Sequence, residues 1–346
     1  MSSRTTLLAV VLLLAAAFGA FRGAIVLSDP GTATAAAAPA SEPSAPSAPA
    51  STTPPPRPTP PATAPPPDAA GVATPDGGPP DGEVDSTADP VVLAFAGDVH
   101  GEKQIAAALG RGEHPLADIA PPLRDADLTI VNLETAVGIS GTRSSKQYTF
   151  QAPSALLDEL VWAGVDVVNL ANNHSLDLGR EGLLETLGLA ERAGLEVVGA
   201  GRDDTSAYAP FVRDIRGLRI AVVGLTRVWP HRDWAATVGE PGLAGAYDIH
   251  RAARAVAAAS SVADVVIVTI HWGTESEGCP DEHQLELAAA LQTAGADVVV
   301  GHHPHVLQGV VAQEGRLVAY SLGNFLWYAS GEVSRLTGVL RVELTS

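Results

Sequence analysis

Gly301-His302-His303-Pro304-His305-Val306-Leu307-Gln308 is the stretch on which the reading of this chain turns. It follows the apolar run Ala296–Val300, a pattern that makes a buried strand. Three imidazoles therefore fall within four positions at one strand's C-terminal end. An apolar core does not readily accept them, because His is polar and rarely fully buried without a partner. A metal ion does, since neutral imidazole is the commonest side-chain ligand of transition metals. Pro304 has a fixed φ and stiffens the turn between His303 and His305. The competing reading is a solvated polar loop, and the rest of the chain has to decide between them.

The arrangement recurs. Val91–Ala96 is a β-rich run that ends in Gly97-Asp98-Val99-His100, and Leu128–Val131 ends in Asn132-Leu133-Glu134. Val165–Leu170 ends in Ala171-Asn172-Asn173-His174, and Val265–Ile270 in His271-Trp272-Gly273. Glu196–Val198, Arg219–Leu225, Leu317–Ser321 and Gly338–Leu344 read as further strands. Helices are expected over Pro153–Ala163, Leu178–Ala193, Ile249–Val262 and Asp281–Ala294. Gly164, Gly194 and Gly295 stop three of them, and Asp177 is expected to cap the second. Alternating β and α segments with fully apolar strands define an α/β fold whose sheets are covered on both faces. Asp98/His100, Glu134, Asn173/His174, His271 and His303/His305 all lie just past strand C-termini, the edge where open α/β sheets bind ligands. Six of the ten histidines fall in these motifs, whereas residues serving only solubility would scatter over both edges.

Asp98, His100, Glu134, Asn173, His271, His303 and His305 are the candidate ligands. Seven N and O donors exceed what one tetrahedral ion takes, and suit two divalent ions sharing a carboxylate. Imidazole, carboxylate and amide oxygen without thiolate favour Mn, Fe, Zn or Mg. His174, beside Asn173, is the candidate general acid. His302 is expected behind the ligands or in solvent, and Glu275 as an orienting or substrate-binding group.

The front of the chain has a different character. Residues 1–28 carry Arg4, an apolar run from Leu7 to Phe21, then Arg22 and Gly23–Leu27: a signal peptide or signal-anchor pattern. Residues 29–90 hold 18 of the 27 prolines, with Ala, Ser, Thr and Gly filling most of the rest. Such a segment cannot bury enough surface to offset its ordering entropy and reads as a disordered, extended linker. Residues 91–346 form the globular domain, with 31 acidic against 18 basic residues, a net −13. Nucleic acid is thereby excluded as a partner, because phosphate backbones are bound by basic patches. The single cysteine, Cys279, allows no intrachain disulfide.

Asp98-x-His100, Glu134, Asn173-His174, His271 and His303-x-His305 run in the order of the calcineurin-like metallophosphoesterase motifs. More closely, the domain resembles the bacterial capsule-biosynthesis CapA family, the poly-γ-glutamate synthesis proteins. The pieces that carry this are Phe95-Ala96-Gly97-Asp98, Asn132-Leu133-Glu134-Thr135, Asn169 to His174 with Asp177 and Gly179, His271-Trp272-Gly273-x-Glu275, Gly301 to Gln308, and Ser321-Leu322-Gly323-Asn324-Phe325. The resemblance implies a four-layer α/β/β/α sandwich. It implies Asp98, His100 and His305 on one metal ion and Asn173, His271 and His303 on the other, with Glu134 bridging. Glu134 departs from the phosphoesterase pattern, which places Asp there. An extracytoplasmic protein of capsule or poly-γ-glutamate synthesis or export follows, membrane-anchored or secreted, with capsule-synthesis membrane proteins as partners. Its expected substrate is a phosphoester or an anionic polymer. The alternatives are a non-catalytic polymer-binding assembly factor and a peptidase acting on the γ-linked polymer. An anionic substrate needs cations in an acidic domain. Arg143, Lys146, Arg180, Arg227 and Arg232 are expected near the cleft, with Asn324 beside it.

Overall fold

A computed structural model describes residues 7–16, 24–27 and 89–345. The linker expected over 29–90 lies outside the described residues apart from its last two. Of the expected signal segment, Leu7–Ala16 and Ala24–Leu27 are described, and both are strands. Leu7–Ala16 pairs antiparallel with Leu336–Thr345 at one side of a sheet. Among the described residues no helix is long and apolar enough to cross a membrane.

Two sheets carry the domain. In the first, Val91–Val99, Leu128–Leu133, Val167–Asn169 and Glu196–Val198 run parallel, with Leu336–Thr345 antiparallel beside Val91–Val99. In the second, Leu218–Thr226, Val265–His271, Val298–His302 and Arg316–Ala319 run parallel, flanked by antiparallel Phe211–Ile215 and Val310–Gln313. The strand period of two sorts each strand's side chains between two cores. Leu93, Phe95 and Ile130 of the first sheet meet Val222, Ile267 and Val300 of the second in one buried cluster. Ala94, Ala96 and Val131 point the other way, onto the helices Ala155–Ala163 and Gly179–Ala193. Val266, Val268 and Ile270 likewise meet the helices Ile249–Ser260 and Glu282–Thr293. The order is helix, sheet, sheet, helix: the expected α/β/β/α sandwich.

Local rules set the element ends. Gly164 and Gly194 end their helices at φ 95° and 83°, a left-handed conformation that a side chain would strain. Asp281 caps Glu282–Thr293 through a reciprocal box with Gln284, and Asp248 caps Ile249–Ser260. Asp177 is not a cap, contrary to the sequence expectation. Leu178 occupies that position with no side-chain cap bond, and the Asp177 carboxylate turns inward instead.

Parallel register brings the motifs together. Asp98 pairs with Asn132 and Asn132 with Asn169 across the first sheet. Thr226 pairs with His271 and His271 with His302 across the second. Both rows lie at strand C-termini, so both sheets end on one rim. Gly97 lets that rim close: a Cβ there would lie 2.0 Å from the Gly323 carbonyl oxygen, the acceptor of the Asp98 backbone N–H.

Candidate metal centre

Asp98, His100, Glu134 and His271 are fully buried, and His303 nearly so. Such a set is costly unless its charges are compensated. Asn132, which sequence reasoning did not single out, ties them together. Its Nδ2 lies 2.8 Å from Asp98 Oδ1, 3.2 Å from His271 Nδ1 and 3.4 Å from Glu134 Oε2. Its Oδ1 accepts from Asn169 and Asn172. His271 Nε2 lies on the other side of the ring, 2.9 Å from Asn173 Oδ1.

Glu134 is the pivot. Its Oε1 has no hydrogen-bond partner. It lies 3.6 Å from His271 Nε2, 3.7 Å from His305 Nε2 and 4.0 Å from His174 Nε2. Those distances are too long for hydrogen bonds and leave room for a cation between oxygen and nitrogens. Burial, then the Asp98 charge, pushes the Glu134 carboxyl well above its ordinary range. A buried acid without a partner favours its neutral form until a positive charge arrives beside it.

Two triads share this residue. Glu134, His271 and His303 present donor atoms mutually within 4.8 Å, and so do Asp98, Glu134 and His305. Glu134 is common to both, and neither triad contains His100 or Asn173. A third triad, Glu275, His303 and His305, adds an exposed carboxylate at the mouth. His100 Nε2 and His303 Nδ1 are buried without partners, and burial lowers both imidazoles to about 3. They stay neutral at physiological pH, the form a metal requires. The donor set fits two divalent cations: imidazole nitrogens, carboxylates and one amide oxygen, several of them without protein partners.

His305 behaves differently. Burial opposes its protonation, but Glu134 and Asp98 outweigh it and raise the imidazole to about 9. Burial likewise acts to raise Asp98, and the bond to His305 overcomes that and holds it below its usual range. The pair forms an internal ion pair that a cation would replace. His303 and His305 both have positive φ, 97° and 57°. Non-glycine residues held there carry strain, which persists where the surrounding structure over-determines it. Gly301 lets this loop approach Trp272, whose ring nitrogen a Cβ would meet at 2.3 Å. His302 is buried behind the cluster, between Thr269 and Asp98.

His174 sits at the edge of the cluster. Its Nδ1 lies 2.6 Å from Asp177 Oδ2, so Nε2 is the nitrogen turned towards Glu134. Lys146 lies 2.6 Å from Asp177 Oδ1 and also donates to the Asn173 carbonyl. Phe150 stacks on His174 at 4.0 Å and on His100 at 5.1 Å. Trp327 meets His100 edge-on at 4.2 Å. Asp177, expected as a cap, thus belongs to the site with Phe150, and Trp327 is a part of it that sequence reasoning did not name.

The expected substrate-binding residues divide. Lys146 is near the cluster but is committed to Asp177. Asn324 engages His305 twice, Oδ1 to Nδ1 at 2.9 Å and Nδ2 to the carbonyl at 3.1 Å, and so positions it. Arg143 is engaged by Thr149 and Gln151, and Arg180 by Glu240 and the Asp233 carbonyl.

Fold and site together define a four-layer α/β/β/α protein with an imidazole–carboxylate centre suited to divalent cations. The chain belongs to the family described as bacterial capsule synthesis protein PGA_cap, which residues 92–329 match. It is 34% identical over 212 residues to the PGA biosynthesis protein CapA of Bacillus subtilis, covering 60% of this chain and 55% of that one. It is 30% identical over 246 residues to the capsule biosynthesis protein CapA of Bacillus anthracis, covering 68% and 60%. The chain therefore spans less than two thirds of the length of these relatives. Among solved structures it is similar to a hypothetical protein of Thermus thermophilus, at 23% identity and TM-score 0.43 over 69% of this chain and 79% of that one. It is also similar to the sulfate thiohydrolase SoxB of Thermus thermophilus, at 17% identity and TM-score 0.41 over 66% and 51%.

Proposed function

We propose that this chain is an extracytoplasmic protein of capsule or poly-γ-glutamate synthesis and export whose centre hydrolyses a phosphoester with two divalent ions. The observation that carries the chemistry is the orphaned Glu134 Oε1, fully buried and 3.6–4.0 Å from three imidazole nitrogens. The names of the relatives support the biological setting, and the apolar segment followed by a Pro-rich spacer supports an extracytoplasmic location. A bound ion pair would supply an activated water and a Lewis-acid hold on phosphoryl oxygens.

The chain's own residues would do the rest. Asp98, His100 and His305 would hold one ion, Asn173, His271 and His303 the other, and Glu134 both. Asn132 would orient Asp98 and His271 from behind. Asp177 and Lys146 engage His174 Nδ1 at 2.6 and 3.1 Å, which leaves Nε2 to face the reacting group. Burial lowers the pKa of His174 and Asp177 opposes that shift, so an anionic group arriving opposite Nε2 would favour protonation. Proton delivery from His174 to a leaving oxygen is then within reach. Phe150 covers His174 and His100, and Trp327 covers His100 and His305.

The test is turnover of bis(p-nitrophenyl) phosphate by the full chain with added Mn²⁺. His174→Asn is expected to lower kcat by about 10²–10⁴ with metal content unchanged. Stoichiometric metal with no turnover by the unaltered chain would refute hydrolysis and favour a polymer-binding role.

A further inference from the structure

An open groove of about 690 Å³ is lined by Trp229, Pro230, Arg232, Tyr247 and Asp248. It is large enough for a few residues of a chain-like ligand. The loop that walls it is pinned at both ends. Arg227 begins it, its backbone N–H donating to the His271 carbonyl at 2.8 Å. Trp234 ends it, buried, with Lys146 Nζ 5.2 Å from its ring centre, and Arg180 donates twice to the neighbouring Asp233 carbonyl. The loop therefore runs from the strand end beside His271 to the residues around Lys146.

Its walls are rigid and aromatic. Trp229 packs on Gly245, where a Cβ would come within 2.0 Å of the indole ring. Trp229 and Tyr247 lie 5.1 Å apart at 30°, and the Arg227 guanidinium stands 5.6 Å from the Tyr247 ring. Arg227 and Arg232 make no side-chain hydrogen bond or ion pair among the described residues. Arg213, Arg216, Arg219, Arg251 and Arg341, by contrast, are each paired with an aspartate. Asp248 also lines the groove, but its Oδ1 is engaged in capping the helix at the Arg251 N–H. In a domain of net −13, Arg232 in the lining and Arg227 over the Tyr247 ring, beside an aromatic wall, select for anionic groups on an apolar spacer.

We infer that this groove is a subsite for an acidic polyamide chain, holding its carboxylates on Arg232 and Arg227 and its methylenes on Trp229 and Tyr247. The inference rests on the proposed role in acidic-polymer handling and assigns that role a place outside the metal centre. The test uses the full, metal-loaded chain with end-labelled poly-γ-glutamate and, separately, labelled dextran, read by fluorescence anisotropy at low and high salt. Circular dichroism and metal content are measured on every variant. Arg232→Glu is expected to weaken polymer binding at least tenfold and Tyr247→Ser several-fold, with added salt weakening the unaltered chain. Arg254→Glu, at an exposed helix position outside the groove lining, is expected to leave binding unchanged. Folded Arg232→Glu and Tyr247→Ser variants that bind polymer as the unaltered chain does would overturn the inference. So would absence of polymer binding altogether, or dextran binding lost in Tyr247→Ser while polymer binding persists. Failure of the hydrolytic reading shows separately, as missing metal or missing phosphodiester turnover alongside intact polymer binding.

Discussion

At the residue scale, Glu134 explains the site's economy of contacts. The buried carboxylates near it have donors within 3.1 Å: Asp98 has Asn132 and His305, and Asp177 has Phe150, His174 and Lys146. Glu134 Oε1 alone among them points at nitrogens it does not touch. A buried, uncompensated acid destabilises the chain that carries it, and the compensating charge reverses that penalty. Glu134→Gln is therefore expected to raise the melting temperature of the metal-free chain and to abolish most of the rise that added Mn²⁺ gives the unaltered chain. Thermal melts with chelator and with metal check this. A variant that loses stability in chelator and keeps the full metal response would remove Glu134 from the centre. The motif residues were legible from the sequence because each stands alone at the end of an apolar run. Asn132 was not, since it stands in the same motif as Glu134 and acquires a role only when register sets it beside Asp98 and Asn169. Asp177 was misread because a carboxylate just before a helix has the signature of a cap. Its bond to His174 three residues earlier depends on a loop conformation that spacing does not disclose. Arg143 and Arg180 were drawn towards the cleft by their place in the sequence, but their partners are on neighbouring loops.

At the element scale, the strands were readable as apolar runs and the helices from their glycine stops. The strands carry on further than the apolar runs do. Val91–Val99 continues through Asp98, and Val265–His271 ends on a ligand candidate, because neighbouring strands continue to supply backbone partners there. The short helices Gln104–Gly110 and Ala120–Arg124 escaped notice, the second because Pro121 and Pro122 resemble a loop although proline is tolerated in a first turn. Gly97 shows what strand continuation demands. Gly97→Ala would press its Cβ on the Gly323 carbonyl and displace Asp98 from its backbone bond. Urea unfolding is expected to give a loss of about 1–3 kcal/mol, together with weaker metal binding. An alanine variant with unchanged stability and metal affinity would mean that this contact does not hold the rim.

At the scale of the whole molecule, two sheets share one core, and parallel register carries both sets of strand ends to one rim. The sandwich order was not readable from periodicity, which established covered sheets but not how they stack. It came from family resemblance, and the three buried clusters bear it out. The rim then gathers donors separated by up to 207 positions in the chain, from Asp98 to His305. The proposed chemistry needs cations at that rim. The most direct measurement is elemental analysis joined to calorimetric titration of the purified full chain with Mn²⁺ and Zn²⁺. The account predicts two divalent ions per chain, with Glu134→Gln losing at least about 100-fold in affinity, the upper end of what outer-shell changes alone cost. A chain that takes up no stoichiometric metal, or a Glu134→Gln variant that binds as tightly as the unaltered one, would contradict it.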